Sequence, residues 1–241
     1  MRKVAFFALV VLLLLVAVMP SAAQPATDKD QVKLKVFIHY PNPGKPGPKP
    51  GVCDPTANDQ VTTYGLTPWK QSGTVTYHVN VGSIPGSVQN AQTAINNSYA
   101  VWESKANGKV HFVQGASTSI RTYKYDGVNI VAWGRAPSGA IAVTYTWYNS
   151  ATDKVLEQDI ILSASLPWSY TQASNPDAVC GDLYSYDVQN ILTHEVGHVF
   201  GLDDLYDTAD QDLTMYGYGA KGELKKDTLG RGDTLGMAAL Y

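Results

Sequence analysis

The segment THEVGHVFG, residues 193–201, constrains the fold of this chain more than any other part of it. Two of the five histidines, His194 and His198, lie four positions apart with Glu195 between them. On an α-helix, side chains at positions i and i+4 lie on the same face, so both imidazole rings can be directed to one point. Neutral imidazole binds Zn²⁺ well, and a glutamate beside the first histidine can reach a water held by the metal. The segment therefore predicts a metal-binding helix; the alternative is a helix that exposes two unrelated histidines.

A catalytic zinc site needs a third protein ligand and one open position. The remaining histidines, His39, His78 and His111, lie in strand-like segments, and we predict that they are ordinary strand residues. Gly201 can end the helix in a left-handed conformation that other residues resist. The chain can then turn back and present Asp204, whose carboxylate is an acceptable zinc ligand.

The apolar patterns along the chain predict several strands and three helices. The predicted strands span residues 33–40, 74–80, 110–114, 128–134, 140–148 and 155–165. The predicted helices span 87–106, capped by Ser87, 186–201, capped by Asp187, and the C-terminal segment 229–241. This order predicts an α+β or mixed α/β domain, and we assign the chain to the α+β class.

Residues 1–23 are typical of a secretory signal peptide. Arg2 and Lys3 precede an uncharged apolar run, and Ser21-Ala22-Ala23 has the small residues of a cleavage site. An uncleaved membrane anchor is the alternative, although the run is short for a complete span. We therefore expect a secreted, extracellular protein that contacts a membrane only if this segment is retained.

Residues 24–52 are predicted to form an N-terminal arm that includes the Pro/Gly-rich linker PNPGKPGPKPG at 41–51, followed by the main domain at 53–241. Cys53 and Cys180 are the two cysteines of the chain, and an oxidising compartment favours a disulfide between them. The alternative is a Cys53 thiolate that blocks the metal site. The formal net charge is −3 and the sequence contains no basic stripe, so we expect no nucleic-acid partner.

The segment HEVGHVFGLDD resembles the HExxHxxGxxH/D signature of the metzincin peptidases. The matching positions are His194, Glu195, His198, Gly201 and Asp204. Downstream, LTMYGYG has Met215 where that clan has its Met-turn, a methionine beneath the metal. Further segments between about residue 60 and residue 241 are similar to the secreted matrixin-type branch. The resemblance implies a metzincin-like zincin fold, with a twisted mixed β-sheet, an N-terminal helix, an active-site helix and a C-terminal helix.

Two features depart from the matrixin pattern. Most matrixins have histidine at the position of Asp204, although some metzincins have aspartate there. The residues around Cys53, GVCDP, lack the PRCG-type cysteine switch of matrixin zymogens, so we do not expect Cys53 to be a switch.

The resemblance implies a secreted zinc-dependent endopeptidase that acts on protein or peptide substrates. His194, His198 and Asp204 are expected to hold Zn²⁺, and Glu195 to act as the general base toward the attacking water. Met215 is expected to be structural. Tyr216 or Tyr218 is expected to stabilise the oxyanion, with loop packing as the alternative.

The resemblance also implies that the substrate lies extended along an edge strand within residues 155–165. It allows structural Ca²⁺, but the aspartates of residues 203–212 do not follow EF-hand spacing, so no calcium ligands are assigned. Two other functions stay open. One is a non-catalytic surface-binding protein on a metzincin scaffold, and the other is a zinc amidohydrolase that acts on cell-wall peptides. The sequence does not predict the oligomeric state.

Overall fold

The computed structural model describes residues 31–43, 59–172 and 180–241. The predicted signal peptide 1–23, most of the linker 41–51 and Cys53 lie outside the described residues, so the secretory signal and the disulfide stay predictions. None of the helices in the described ranges is long and apolar enough to cross a membrane.

The described residues form eleven strands and three α-helices. The strands are β1 (Val32–Pro41), β2 (Gly65–Leu66), β3 (Gly73–Val79), β4 (Val110–Gln114), β5 (Asn129–Gly134), β6 (Ala142–Asn149), β7 (Lys154–Ser163), β8 (Trp168–Ser169), β9 (Tyr186–Asp187), β10 (Leu202–Asp203) and β11 (Tyr218–Gly219). The helices are α1 (Ala91–Glu103), α2 (Val188–Phe200) and α3 (Arg231–Leu240).

Seven strands form one mixed sheet in the order β11-β1-β6-β7-β5-β3-β4. Strand β6 runs antiparallel to both of its neighbours, β1 and β7, and the other pairs are parallel. The two strands predicted at 140–148 and 155–165 are confirmed as β6 and β7, which form an antiparallel hairpin. A mixed sheet with three helices confirms the α+β assignment.

Helix α2 is the centre of the hydrophobic core. All 13 of its residues are buried, since it packs against α1 and against the sheet. Ile95 and Trp102 of α1 are fully buried in the same cluster, and the Trp102 indole donates a 2.7 Å hydrogen bond to the carbonyl of Thr193. Burying an isoleucine or leucine side chain is worth roughly 1.5–3 kcal/mol. This packing holds the segment that carries His194 and His198 against the sheet.

Three expectations differ from the structure. Helix α1 begins at Ala91 after Asn90, which has φ +56°, and Ser87 instead donates its hydroxyl to the carbonyl of Trp168, so the predicted cap is wrong. Residues 32–41, assigned to the N-terminal arm, are a strand of the main sheet. The substrate-binding edge expected within 155–165 is free only in part, because β6 pairs along β7 whereas β5 pairs only with Asp159–Ser163, so residues 154–158 have a neighbouring strand on one side alone.

Candidate metal centre

Helix α2 is delimited by two residues that suit its ends. The Asp187 side chain accepts a hydrogen bond from the backbone nitrogen of Asn190 at 3.1 Å, which confirms the predicted N-cap. Gly201 follows the last turn with φ +119°, and a Cβ atom there would lie 2.5 Å from the carbonyl oxygen of Trp69. Glycine is therefore required at this position, where the chain turns back toward the helix.

The structure brings the three predicted ligand residues together. His194 Nε2 lies 3.2 Å from His198 Nε2 and 3.2 Å from Asp204 Oδ1, and His198 Nε2 lies 3.5 Å from the same oxygen. Ligands about 2.0–2.1 Å from a tetrahedral zinc lie about 3.3 Å from one another. The spacing of these three atoms therefore fits a tetrahedral cation.

Each of the two imidazole rings makes its backbone hydrogen bond through Nδ1, which leaves the lone pair of Nε2 free to bind a cation. Nδ1 of His194 lies 2.8 Å from the carbonyl oxygen of Thr214, and Nδ1 of His198 lies 3.0 Å from that of Leu202. A carbonyl only accepts, so each Nδ1 carries the hydrogen and each Nε2 of a neutral ring has a free lone pair. Both Nε2 atoms face the Asp204 carboxylate.

Burial and the charge interactions among His194, His198 and Asp204 determine which of these side chains are protonated. Burial lowers the pKa of His194 to about 4, so its ring is neutral near pH 7. Burial disfavours the charged forms of His198 and Asp204 as well, but their attraction outweighs it. This attraction raises the pKa of His198 and holds the pKa of Asp204 far below its ordinary value. An ionised carboxylate beside two imidazoles is a donor set suited to zinc.

Glu195 lies beside the ligands and is held through one of its two oxygens. Thr144 of β6 donates its hydroxyl to Glu195 Oε2 at 2.6 Å, whereas Oε1 is buried and has no hydrogen-bond partner among the described residues. Burial raises the pKa of Glu195 to about 7. A carboxylate with one anchored oxygen and one unpaired oxygen is suited to accept a proton.

Met215 packs against Gly197 of α2, and its expected position beneath the metal stays a prediction. A Cβ atom on Gly197 would lie 2.2 Å from Met215 Sδ, so the absence of a side chain at Gly197 allows this close packing. The carboxylate of Asp233 fixes the turn by accepting hydrogen bonds from the backbone nitrogens of Thr214 and Met215, at 2.9 and 3.1 Å.

Residues that the sequence analysis did not assign to the site also surround it. His39 of β1 places its ring centroid 4.0 Å from that of His194 and its Nδ1 3.3 Å from Glu195 Oε1. Phe37 stacks on His198, with ring centroids 3.8 Å apart and planes inclined by 8°. His39 therefore lies in a strand, as predicted, but its side chain lies at this centre, whereas His78 and His111 bond to Ala116 and Glu103, residues outside this group.

A buried lysine and a tyrosine complete the surroundings. Lys226 Nζ lies 3.2 Å from His39 Nε2 and donates to the carbonyl oxygens of Tyr216 and Tyr218, at 2.6 and 2.8 Å. Burial lowers the pKa of Lys226 to about 8. Tyr206 donates its hydroxyl to Asp204 Oδ2 at 3.1 Å. The oxyanion role expected of the Tyr216 or Tyr218 side chain stays a prediction.

Both groups of three residues that could hold a cation in the described ranges lie at this centre. They are His194, His198 and Asp204, and His39, His194 and Glu195. Calcium prefers six to eight oxygen ligands, so neither group suits it, and the expected structural calcium stays a prediction without ligands. A scan of protein-family models found no match to this chain, and a search of curated proteins found none either.

Proposed function

We propose that this protein is a secreted zinc-dependent endopeptidase of the metzincin type. The observation that carries the proposal is the convergence of three ligand atoms, from His194, His198 and Asp204, beside a carboxylate oxygen of Glu195 that has no hydrogen-bond partner. A helix with two metal-binding histidines and an intervening glutamate is the arrangement that metalloproteases use for water-mediated hydrolysis. The substrate class is a protein or peptide.

The chain's own residues supply the proton transfers. Zinc held by the three ligands supplies Lewis-acid chemistry, because it acidifies water and polarises a carbonyl. Glu195 Oε1 takes the proton from the attacking water and passes it to the leaving amine. Thr144 holds the other oxygen of that carboxylate, so Oε1 keeps its direction toward the ligands.

Three features support the finer assignment to a metzincin-like fold. Gly201 ends α2 in a left-handed conformation, so the chain returns Asp204 to the histidines. Met215 packs under α2 against Gly197. The backbone nitrogen of Leu205 bonds to the carbonyl of Met215 at 2.9 Å, which joins the ligand loop to that turn.

Exchanging Glu195 for glutamine tests the proposed chemistry. We expect Glu195→Gln to keep zinc content and the unfolding midpoint close to wild type while it lowers turnover of a casein-type substrate by at least about a hundredfold. Zinc is measured by elemental analysis, and turnover is measured on the intact chain and on a chain cut between β1 and β2. Undiminished turnover in this variant would contradict the mechanism.

Turnover of peptidoglycan peptides alone would favour the amidohydrolase, and zinc binding without any hydrolysis would favour the surface-binding protein.

Two neighbouring aspartates test the ligand assignment. Asp204→Ala should raise the dissociation constant of zinc by more than about a hundredfold, since the site keeps only two ligands. Asp203→Ala is the matched control, because the Asp203 carboxylate lies instead 3.6 Å from Lys35 Nζ. If zinc affinity falls in the control and not in Asp204→Ala, the assigned third ligand is wrong.

A further inference from the structure

Strand β1 lies along the edge of β6, the strand whose Thr144 holds the general base. Eight residues of β1 pair antiparallel with β6, from Val32 opposite Asn149 to His39 opposite Ala142. Phe37 is the partner of Thr144 in this register. Backbone pairing with a sheet edge is the way in which an extended peptide binds a protein through its main chain.

Two side chains of β1 point into the metal centre. Phe37 and His39 are two positions apart and therefore lie on the same face of the strand. Phe37 covers the ring of His198, and His39 lies against His194 and Glu195 Oε1. Both side chains are buried, whereas the alternate residues Val36 and Tyr40 are exposed.

The consequence is that a substrate cannot reach the centre while β1 is in place. His194 and Glu195 are fully buried, and His198 is 1% exposed. A peptide whose carbonyl carbon is to be attacked must bring that group next to Glu195 Oε1, which is the position that His39 occupies. A peptide that paired with this edge of β6 would compete with β1 for the same backbone hydrogen bonds.

Polar contacts hold the two ends of β1. At the first end, the carbonyl oxygen of Gln31 accepts hydrogen bonds from the backbone nitrogen and the hydroxyl of Ser150, at 2.8 and 3.0 Å. Lys35 Nζ lies 3.6 Å from an Asp203 oxygen, and both side chains are more than one third exposed, so this ion pair contributes little. At the other end, Tyr40 pairs with Tyr218 of the two-residue strand β11. By sequence, the segment that follows, residues 41–51, is rich in proline and glycine.

We infer that β1 is an intramolecular ligand of the catalytic groove, by which we mean the edge of β6 beside the metal centre. There β1 occupies the place of an extended peptide substrate and holds the enzyme in a latent form. The inference rests on the proposed peptidase function. It assigns the blocking of the centre to Phe37 and His39 rather than to a cysteine. It also assigns the substrate edge to β6 rather than to β7.

The test is a full-length chain in which residues 46–51 are replaced by the recognition sequence of a site-specific protease. Turnover and zinc content are measured before and after the cut, at a concentration low enough for a cut strand to dissociate. A tether gives an effective concentration near the millimolar range, so its loss should raise kcat/KM by at least about tenfold. A synthetic peptide of residues 31–42 should then inhibit the cut chain competitively, and the same peptide with Phe37→Ala and His39→Ala should not.

A second readout does not depend on turnover. The fluorescently labelled peptide of residues 31–42 should bind the zinc-loaded cut chain, measured by anisotropy, and should not bind the intact chain. In the intact chain, Phe37→Ala and His39→Ala should raise basal kcat/KM, whereas Lys33→Ala, at an exposed position of the same strand, should leave it unchanged. These intact variants decide the matter if the cut chain fails to stay folded.

The possible outcomes separate the two proposals. Equal turnover by intact and cut chains, with no binding of the labelled peptide, would show that β1 is a permanent strand and would overturn the latency while the peptidase stands. A cut chain that holds zinc and binds the peptide but hydrolyses none of the substrates would overturn the peptidase, and the latency with it.

Discussion

The Thr144 hydroxyl donates a hydrogen bond of 2.6 Å to Glu195 Oε2, which joins the centre of β6 to the carboxylate of α2. Both residues are buried, so this bond is shielded from competition by water. It also lowers the pKa of Glu195, although burial is the larger effect and raises that pKa. Thr144 is therefore a positioning residue for the proposed general base.

Replacing Thr144 by valine should lower kcat by about tenfold and change KM little, because the carboxylate loses its orientation but the groove keeps its shape. The pKa of Glu195 should rise, so the acidic limb of the pH–rate profile should move to higher pH. Thr144→Ser should restore both. The measurement is kcat and KM against pH for the chain with β1 released. An unmoved acidic limb together with an unchanged kcat would contradict the assigned role.

Replacing Tyr206 by phenylalanine should raise the dissociation constant of zinc by about tenfold, because the hydroxyl that orients the Asp204 carboxylate is lost. Competition with a chelator measures the affinity. Tyr184→Phe is the control, since Tyr184 is the most exposed tyrosine among the described residues, at 62%. Equal zinc affinity in the two variants would show that the Tyr206 bond does not tune the site.

Replacing Gly201 by alanine should lower the free energy of unfolding by about 2 kcal/mol or more, because a φ of +119° strains any residue with a Cβ. The added carbon would also meet the backbone of Trp69, which cannot rotate away as a side chain can. Urea denaturation measures the change. Gly86→Ala is the control, since a Cβ there has open space around it. If both variants unfold at the same urea concentration, the turn after α2 does not require glycine.

The buried carboxyl pair of Asp227 and Asp187 predicts a stability that depends on pH. Burial raises the pKa of both carboxyl groups above their ordinary value of 3.8, and repulsion from Asp187 raises that of Asp227 further. The folded state therefore holds protons that the unfolded chain releases above about pH 4. The free energy of unfolding should fall as the pH rises above about 4, with a slope of at most about 1.4 kcal/mol per pH unit for each proton that only the folded state holds.

Asp227→Asn should flatten this dependence, because the amide does not titrate. The measurement is the urea midpoint of both proteins at pH 5, 7 and 9. We expect the variant to gain stability relative to wild type as the pH rises. A difference between the two proteins that stays constant with pH would contradict the protonation of Asp227.

The three proposed ligands and Glu195 could be predicted because they lie close together in the sequence. His194, Glu195 and His198 are four residues apart at most, and the turn at Gly201 brings Asp204 back within a single loop. Each of these relations lies within a dozen residues, where helix geometry and glycine conformation determine the outcome. The Asp187 cap follows from the same local rules.

The relations that were missed are between distant parts of the chain. His39 and His194 are separated by 155 residues along the sequence, and their contact depends on the pairing of β1 with β6. An alternating pattern predicts a strand but not its partner or register, so neither His39 nor the substrate edge could be placed. Thr144 lies in an apolar strand and gives no signal of its own. Ser87 failed as a cap because the left-handed Asn90 starts the helix later.

The position of β1 between β6 and β11 couples the two ends of the chain. In the described ranges β11 pairs with β1 alone, and β11 follows the Met215 turn. Withdrawal of the N-terminal strand would therefore strip Tyr218 and Gly219 of their ladder partner, and Lys226 would lose its contact with the ring of His39. Release of β1 should therefore also loosen the segment after the methionine turn, and faster hydrogen exchange of residues 216–220 would detect this.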